Sequence, residues 1–144
     1  MDDLLTLKVV NDLAALPQLA DELEAFCAAL AIPSRTVHRF TLALEEVLTN
    51  VIAYAFPADG RREIDVRIAW RDGSLHATVS DDGVAFNPLT RPAPDLRAPV
   101  EQRQIGGLGI HLLRTLSETA DYRRDGDRNV LTFSMRPGKP GNPA

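Results

Sequence analysis

The chain has 144 residues, of which 44% are hydrophobic and 25% charged, a composition typical of one globular domain that buries its own core. Its formal net charge of -4 at pH 7 gives no basic surface of the kind that nucleic-acid binding normally needs, so we expect no nucleic-acid partner. No apolar run approaches the roughly 20 residues that cross a bilayer, and the acidic start Met1-Asp2-Asp3 is unlike a signal peptide, so we expect a cytoplasmic protein with no membrane partner.

The basic residues limit which nucleotide chemistry is open to the chain. Of the 16 basic residues only Lys8 and Lys139 are lysines, and neither stands in a Walker A motif or at the position of a eukaryotic-type kinase lysine. Any nucleotide chemistry must therefore use backbone amides, arginines and a metal ion.

The first third of the chain predicts one strand and two helices. Residues Leu4 to Val10 form a short β-like run, and Cys27 lies on the apolar stripe of the helix that follows, where we expect it to pack in the core. A second helix is predicted from an N-cap at Ser34 to about Phe56, where Pro57 stops it. The stripe of the first helix consists of Leu16, Leu19, Leu23, Phe26 and Leu30.

The second predicted helix carries a carboxylate and an amide on one face. Glu46 and Asn50 are four residues apart, so their side chains point the same way from a helix. Their helical neighbours Ala43, Val47 and Ala53 are apolar, unlike a fully solvated face. An Asn oxygen is a hard ligand suited to Mg²⁺, and a Glu can accept a proton from an attacking hydroxyl, which is worth roughly 10²–10⁴-fold in rate. Alone, Glu-x-x-x-Asn is a weak motif that a solvent-facing helix also produces.

Alternating apolar and polar residues predict a β-hairpin after the second helix. Residues 64–71 and 74–80 alternate, and Asp72-Gly73 between them is typical of a two-residue turn. The second strand ends at Asp81-Asp82-Gly83, a sequence that by itself is most often only a turn. In a nucleotide site, however, a buried Asp81 accepts the exocyclic amine of adenine, and Gly83 lets the base approach the backbone.

A long segment without hydrophobic periodicity follows, from Asn87 to Gln104. It contains four prolines, and a loop of this length in a compact domain is usually a functional lid or a linker. Its arginines, Arg91, Arg97 and Arg103, either solvate the surface or supply one contact to the γ-phosphate when the lid closes.

A glycine cluster, Gly106-Gly107-Leu108-Gly109, opens a third predicted helix. Free amides at a helix N-terminus bind phosphate with the help of the helix dipole, and the alternative role of the cluster is a flexible hinge. The cluster lacks the context of a dinucleotide fingerprint. Two further strands are predicted, from Ala120 to Arg124 and from Val130 to Met135, with Gly126 in the turn between them.

The predicted order of elements is β-α-α-β-β-lid-α-β-β. This order fits an α/β two-layer sandwich in which a mostly antiparallel mixed sheet is covered on one face by three helices. The sequence has no internal repeat, so we predict a single domain over residues 1–136 and a flexible tail, rich in proline and glycine, over residues 137–144.

Three motifs together resemble a known superfamily. In order and spacing, Glu46-x-x-x-Asn50, Asp81-x-Gly83 and Gly106-Gly107-Leu108-Gly109 resemble the N, G1 and G2 boxes of the GHKL ATPases and kinases. The resemblance spans nearly the whole chain, and within the superfamily it is closest to the anti-sigma factor serine/threonine kinases of bacterial partner-switching systems. It implies the Bergerat ATP-binding fold, with ATP and Mg²⁺ as cofactors.

The resemblance also implies a role for each motif. It places Asn50 on Mg²⁺, Glu46 as the catalytic base, Asp81 on adenine with Gly83 beside it, and the glycine cluster at the phosphates. In addition, Thr132 matches a strand position that often supports adenine binding.

The prediction that results is an ATP-dependent protein serine/threonine kinase that is also an anti-sigma-type binding switch. By the same resemblance, its substrate is a STAS-domain anti-sigma factor antagonist, its second partner is a sigma factor or another regulated protein, and it forms a homodimer. The alternative is a non-catalytic, ATP-regulated protein-binding module of the same fold, against which the presence of Glu46 argues. A fragment of a sensor histidine kinase is disfavoured, because we expect no phosphoacceptor helix before the ATP-binding domain.

Overall fold

The computed structural model describes residues 3–56, 60–90, 113–115 and 117–138. Residues 113–115 are helical and fall within the third predicted helix. The order of the predicted elements is confirmed within these ranges. The helices and strands are β1 (Asp3–Val10), α1 (Leu16–Ala29), α2 (Ser34–Tyr54), β2 (Glu63–Arg71), β3 (Ser74–Asp81), β4 (Thr119–Asp125) and β5 (Arg128–Met135).

The five strands form one sheet in the order β1-β2-β3-β5-β4. All four of its pairings are antiparallel, in a sheet that the sequence predicts to be mostly so. Asp72 and Gly73 both have positive φ, 54° and 77°, which is the geometry of a two-residue hairpin turn matched to the twist of the strands. Gly126, with φ of 60°, lies in the turn between β4 and β5.

One face of the sheet is buried under the helices. Alternate residues of β2 and β3 point to this face, and they pack against the apolar stripes of α1 and α2. The opposite face carries mainly polar and charged side chains. This arrangement confirms the predicted two-layer α/β sandwich. Large side chains that are completely buried in its core include Leu23, Phe40, Leu44, Ile64, Ile68 and Phe133.

The helix that carries the predicted catalytic residues begins differently from the prediction. Pro33 occupies the N-cap position with an extended backbone, and no side chain caps the helix. Ser34 is instead the first helical residue, so the prediction of a Ser34 N-cap is wrong by one position. Among the helices within the described residues, none has both the length and the apolar character that a membrane crossing demands.

Candidate active site

The amide and the carboxylate predicted on α2 are in contact. Asn50 is only 4% exposed, and its Nδ2 donates a hydrogen bond of 2.9 Å to the backbone oxygen of Glu46. The same nitrogen lies 3.4 Å from Glu46 Oε1, a weaker contact. Because Nδ2 donates to Glu46 of the same helix, Oδ1 of Asn50 points away from that residue. No group among the described residues donates a hydrogen bond to this oxygen. An amide oxygen that accepts no hydrogen bond from the described residues suits Mg²⁺.

Glu46 lies one helical turn before Asn50 and is half-buried. A metal ligand and a base on this face would therefore act on groups a few ångströms apart. Burial raises the pKa of the preceding residue, Glu45, and the charge of His38 partly opposes that rise. Glu45 projects about 100° around the helix from Glu46, so it does not share this face.

The metal prediction rests on few protein ligands. Across residues 3–56, 60–90, 113–115 and 117–138, no three His, Cys, Asp or Glu side chains cluster closely enough to hold a metal ion. Mg²⁺ is commonly held by one or two protein oxygens together with waters and phosphates, so the single oxygen of Asn50 fits that ion better than it fits zinc.

Asp81 closes β3 and is 1% exposed. Its Oδ1 accepts two hydrogen bonds, one of 2.8 Å from the backbone nitrogen of Gly83 and one of 2.9 Å from Nδ2 of Asn129. Within the part of the chain that the structure describes, Oδ2 accepts none. One carboxylate oxygen is thus fixed by the protein, and the other can accept a hydrogen bond from a ligand, such as the exocyclic amine of adenine.

Gly83 is required by packing against α2. A Cβ atom at this position would lie 2.2 Å from the backbone oxygen of Ala55, far closer than real atoms approach. The same oxygen accepts a hydrogen bond of 2.9 Å from the backbone nitrogen of Val84. The rings of Tyr54 and Phe86 are also in contact, tilted by 37° with their centroids 5.3 Å apart. The loop after Asp81 therefore packs against the end of the helix that carries Asn50. This close packing requires a glycine at position 83, a reason that differs from the predicted approach of a base.

Thr132 does not lie beside Asp81 in the sheet. In the pairing of β3 with β5, Thr132 lies opposite Thr78, whereas Asp81 lies opposite Asn129. Because successive side chains of a strand point to opposite faces, Thr132 faces away from the helices and from Asp81. The register therefore argues against the prediction that Thr132 supports adenine binding. From β5, the residue that faces Asp81 is Asn129.

Three residues at this end of the site were not predicted: Asn129 of β5 and Tyr122 and Arg124 of β4. Arg124 Nη1 donates to Oδ1 of Asn129 at 3.2 Å and to the backbone oxygen of Gly83 at 2.8 Å. The hydroxyl of Tyr122 also donates to Oδ1 of Asn129. The sequence does contain an indication of this position for Asn129. It lies two residues before the buried Leu131, so both side chains point to the same face of the strand.

Several predicted features lie outside the described residues. These are the glycine cluster Gly106-Gly107-Leu108-Gly109, the predicted lid from residue 91 to residue 104 with its three arginines, and residues 139–144 of the predicted tail. Of the lid, residues 87–90 are described, and Pro88–Thr90 form a short 3₁₀ turn. The phosphate contacts of the glycine cluster stay a prediction.

Comparison with known proteins places the chain in a family. Residues 9–135 match the family model described as the histidine kinase-like ATPase domain. The chain is 33% identical over 100 residues to the serine/threonine-protein kinase BtrW of Bordetella bronchiseptica, covering 67% of this chain and 69% of BtrW. It is 28% identical over 134 residues to the serine-protein kinase RsbW of Listeria monocytogenes, covering 87% of this chain and 85% of RsbW.

A solved structure supports the fold. The crystal structure of the RsbU and RsbW domains of a Mycobacterium tuberculosis protein superposes with a TM-score of 0.66 at 16% identity, over 93% of this chain. This chain spans 32% of the length of that structure, about a third. The predicted GHKL resemblance and its two-layer fold are confirmed, and the family's ATPase description implies the use of ATP. With the match extending over most of its length, the chain belongs to the histidine kinase-like ATPase domain family.

Proposed function

We propose that this protein is an ATP-dependent protein serine/threonine kinase that also acts as an anti-sigma-type switch. The observation that carries the proposal is the contact of Glu46 with Asn50 on a buried part of α2, beside a loop that starts from Asp81. The relatives that are named serine and serine/threonine kinases support the choice of a protein hydroxyl as the acceptor. We also propose that residues 1–136 form the single kinase domain, in the cytoplasm.

We propose residues of the chain that bind the metal ion, the adenine and the phosphates of the nucleotide. Asn50 would bind Mg²⁺ through Oδ1, Asp81 would bind adenine through Oδ2, and the cluster Gly106-Gly107-Leu108-Gly109 would bind the phosphates through backbone amides. When bound, Mg²⁺ neutralises charge on the phosphate oxygens. The free oxygens of the Asn50 amide and the Asp81 carboxylate support this assignment.

Glu46 is the proposed base. Its carboxylate accepts the proton of the acceptor hydroxyl while the hydroxyl oxygen forms a bond to the γ-phosphorus. The bond from that phosphorus to the bridging oxygen breaks, and ADP leaves with the electron pair. A half-buried carboxylate one turn from the metal ligand suits this step, because both groups act at the same end of the nucleotide.

The proposed substrate is a STAS-domain anti-sigma factor antagonist, and the proposed second partner is a sigma factor or another regulated protein. Phosphorylation adds about two negative charges to the acceptor hydroxyl. These charges face the phosphates of the nucleotide, so the phosphorylated antagonist should dissociate and leave the protein able to bind its second partner. We propose a homodimer on family resemblance alone.

Phosphotransfer to a candidate substrate tests the proposal. The purified protein is incubated with Mg²⁺, ATP labelled at the γ-phosphate and a STAS-domain protein encoded beside it. We expect label on the STAS protein, and none on a matched STAS variant whose acceptor serine or threonine is alanine. ATP binding without transfer to any hydroxyl would favour the non-catalytic binding module instead.

The switch needs a second measurement. The affinities of the unmodified and the phosphorylated STAS protein are compared by titration in Mg-ADP. We expect much weaker binding of the phosphorylated form. Equal affinities would mean that phosphorylation does not control release, even if transfer occurs.

A further inference from the structure

We infer that Asn129 is a positioning residue that makes the site select adenine, by fixing the carboxylate of Asp81 in one orientation. The inference rests on the proposed binding of a nucleotide at Asp81, and it adds a residue that lies outside all three predicted motifs. Asn129 itself is 4% exposed and needs no contact with the base. It would act through Asp81.

The amide of Asn129 is fully occupied by its surroundings. Its Nδ2 donates to Asp81 Oδ1 at 2.9 Å and to the backbone oxygen of Val84 at 2.8 Å, which uses both of its hydrogens. Its Oδ1 accepts three hydrogen bonds, from the backbone nitrogen of Phe86 and from the side chains of Tyr122 and Arg124. A reversed amide would set its NH₂ group against three donors, so the network allows only one orientation.

This orientation determines what Asp81 can recognise. Oδ1 of Asp81 accepts hydrogen bonds from the backbone nitrogen of Gly83 and from Nδ2 of Asn129. The carboxylate therefore cannot rotate without losing two buried hydrogen bonds. Oδ2 is then presented as an acceptor. An acceptor pairs with the 6-amino group of adenine, and it opposes the 6-oxo group of hypoxanthine or guanine, because two acceptors would then face each other.

The loop that follows Asp81 is held by the same network. Arg124 joins the backbone oxygen of Gly83 to Oδ1 of Asn129, so the loop is attached to β5 on one side. The hydrogen bond from Val84 to Ala55 attaches it to α2 on the other. Arg124 lies on the exposed edge strand β4, where solvent can replace a lost hydrogen bond, so we expect its removal to matter less than that of the buried Asn129.

The test compares two nucleotides whose bases differ in the 6-substituent, amino or oxo, and in the hydrogen that N1 carries beside the oxo group. Calorimetric titrations are made with Mg-ADP and with Mg-IDP, the inosine diphosphate whose base is hypoxanthine. The proteins titrated are the unaltered protein, Asn129→Leu and Asn129→Asp. Asn129→Asp preserves the shape of the side chain and an oxygen for Phe86, Tyr122 and Arg124, and it replaces the amide donor to Asp81 with a carboxyl group whose like charge opposes the fixed orientation of Asp81. Thr132→Val is the matched control, because it alters the same strand on the opposite face.

We expect the unaltered protein and Thr132→Val to prefer ADP over IDP by about tenfold or more, as expected when a site pairs a buried polar group with the correct base. In Asn129→Leu and Asn129→Asp the affinity for ADP should fall by about tenfold, while the affinity for IDP changes by less than about threefold, because the phosphate contacts are unchanged. The ratio of the two affinities should therefore approach one. A role in folding alone would lower both affinities together.

The outcomes separate this inference from the proposed function. An unchanged ratio in a folded Asn129 variant would overturn the inference, as would equal binding of ADP and IDP by the unaltered protein. If Asn129→Leu does not fold, Asn129→Asp decides. Failure of the unaltered protein to bind ADP would overturn both, whereas selective ADP binding without phosphotransfer would contradict the kinase proposal and leave the inference standing.

Discussion

The proposed catalytic end of the candidate site, at Glu46 and Asn50, and its proposed adenine end, at Asp81, depend on contacts of different range. Glu46 and Asn50 belong to one helix, and four residues of regular backbone bring them together. Asp81 and Asn129 are 48 residues apart in the sequence and meet only because β3 pairs with β5. The first end is thus determined by local geometry, and the second by the register of the whole sheet. Changes at the first end should alter metal binding or phosphotransfer and leave the fold intact, whereas changes at the second end should also lower stability.

The largest effect is expected for Asn50→Ala. Loss of the proposed metal ligand should abolish measurable phosphotransfer, a fall of about 10⁴-fold or more, because metal stabilisation of phosphate charge is worth several kcal/mol. The fold should persist, since the hydrogen bonds of the Asn50 side chain to the described residues all lie within its own helix. Calorimetry with ATP, with and without Mg²⁺, measures the role directly. Unchanged Mg-ATP affinity in a folded variant would remove Asn50 as the ligand.

The next largest effect is expected for Glu46→Gln. Glutamine cannot take the proton of the acceptor hydroxyl, so phosphotransfer should fall by roughly 10²–10⁴-fold, while nucleotide affinity stays within a few-fold. Single-turnover transfer and nucleotide titration on the same preparation separate the two quantities. Near-normal turnover would show that another group is the base.

A stability test distinguishes the adenine end. In Gly83→Ala the new methyl group would collide with the backbone oxygen of Ala55, so the free energy of unfolding should fall by about 2–4 kcal/mol. Gly73→Ala is the control, because Gly73 has positive φ but no described residue lies within 4 Å of the added Cβ, and it should cost about 1 kcal/mol. Urea unfolding of both variants measures the difference. Equal costs would mean that the loop moves away from α2 easily.

The smallest effect is expected in the rate at which a thiol reagent labels Cys27 in the variants of Glu46 and Asn50. This rate measures how often each variant unfolds. The side chain of Cys27 is completely buried on α1, and burial raises the pKa of its thiol to about 11. At pH 8 it should therefore react with a thiol reagent only through unfolding. We expect labelling in Asn50→Ala and Glu46→Gln to be as slow as in the unaltered protein, and labelling in Gly83→Ala to be at least about 30-fold faster. Fast labelling in the first two would show that the catalytic end is not independent of the fold.

The sequence predicts well those features of the fold that are determined by residues close together along the chain. The Asp72-Gly73 turn follows from two residues that accept positive φ, and the contact of Glu46 with Asn50 follows from the helical period. The predicted N-cap at Ser34 is wrong by one residue, because the helix begins at Ser34 itself and Pro33 holds the extended N-cap position without a side-chain cap.

The adenine end could not be predicted to the same depth. No local rule states that Asn129, rather than Thr132, comes opposite Asp81, since that depends on how strands separated by the predicted lid align. The alternation in β5 carries part of the answer, because Leu131 and Phe133 are buried and Asn129 shares their parity. The bonds from Tyr122 and Arg124 depend further on the position of β4 at the edge of the sheet.

The separation of β3 from β5 along the chain also orders the assembly of the protein. Hairpins such as β2–β3 close over two residues, whereas the pairing of Asp81 with Asn129 must first close a loop of nearly fifty, at a higher entropic cost. We expect amide protection during refolding to appear in the β2–β3 and β4–β5 hairpins before the hydrogen bonds between β3 and β5 form. On a ribosome, a chain that has not yet released Arg128–Met135 would already carry Glu46, Asn50 and Asp81, yet it would lack Asn129, the residue that we infer fixes the Asp81 carboxylate.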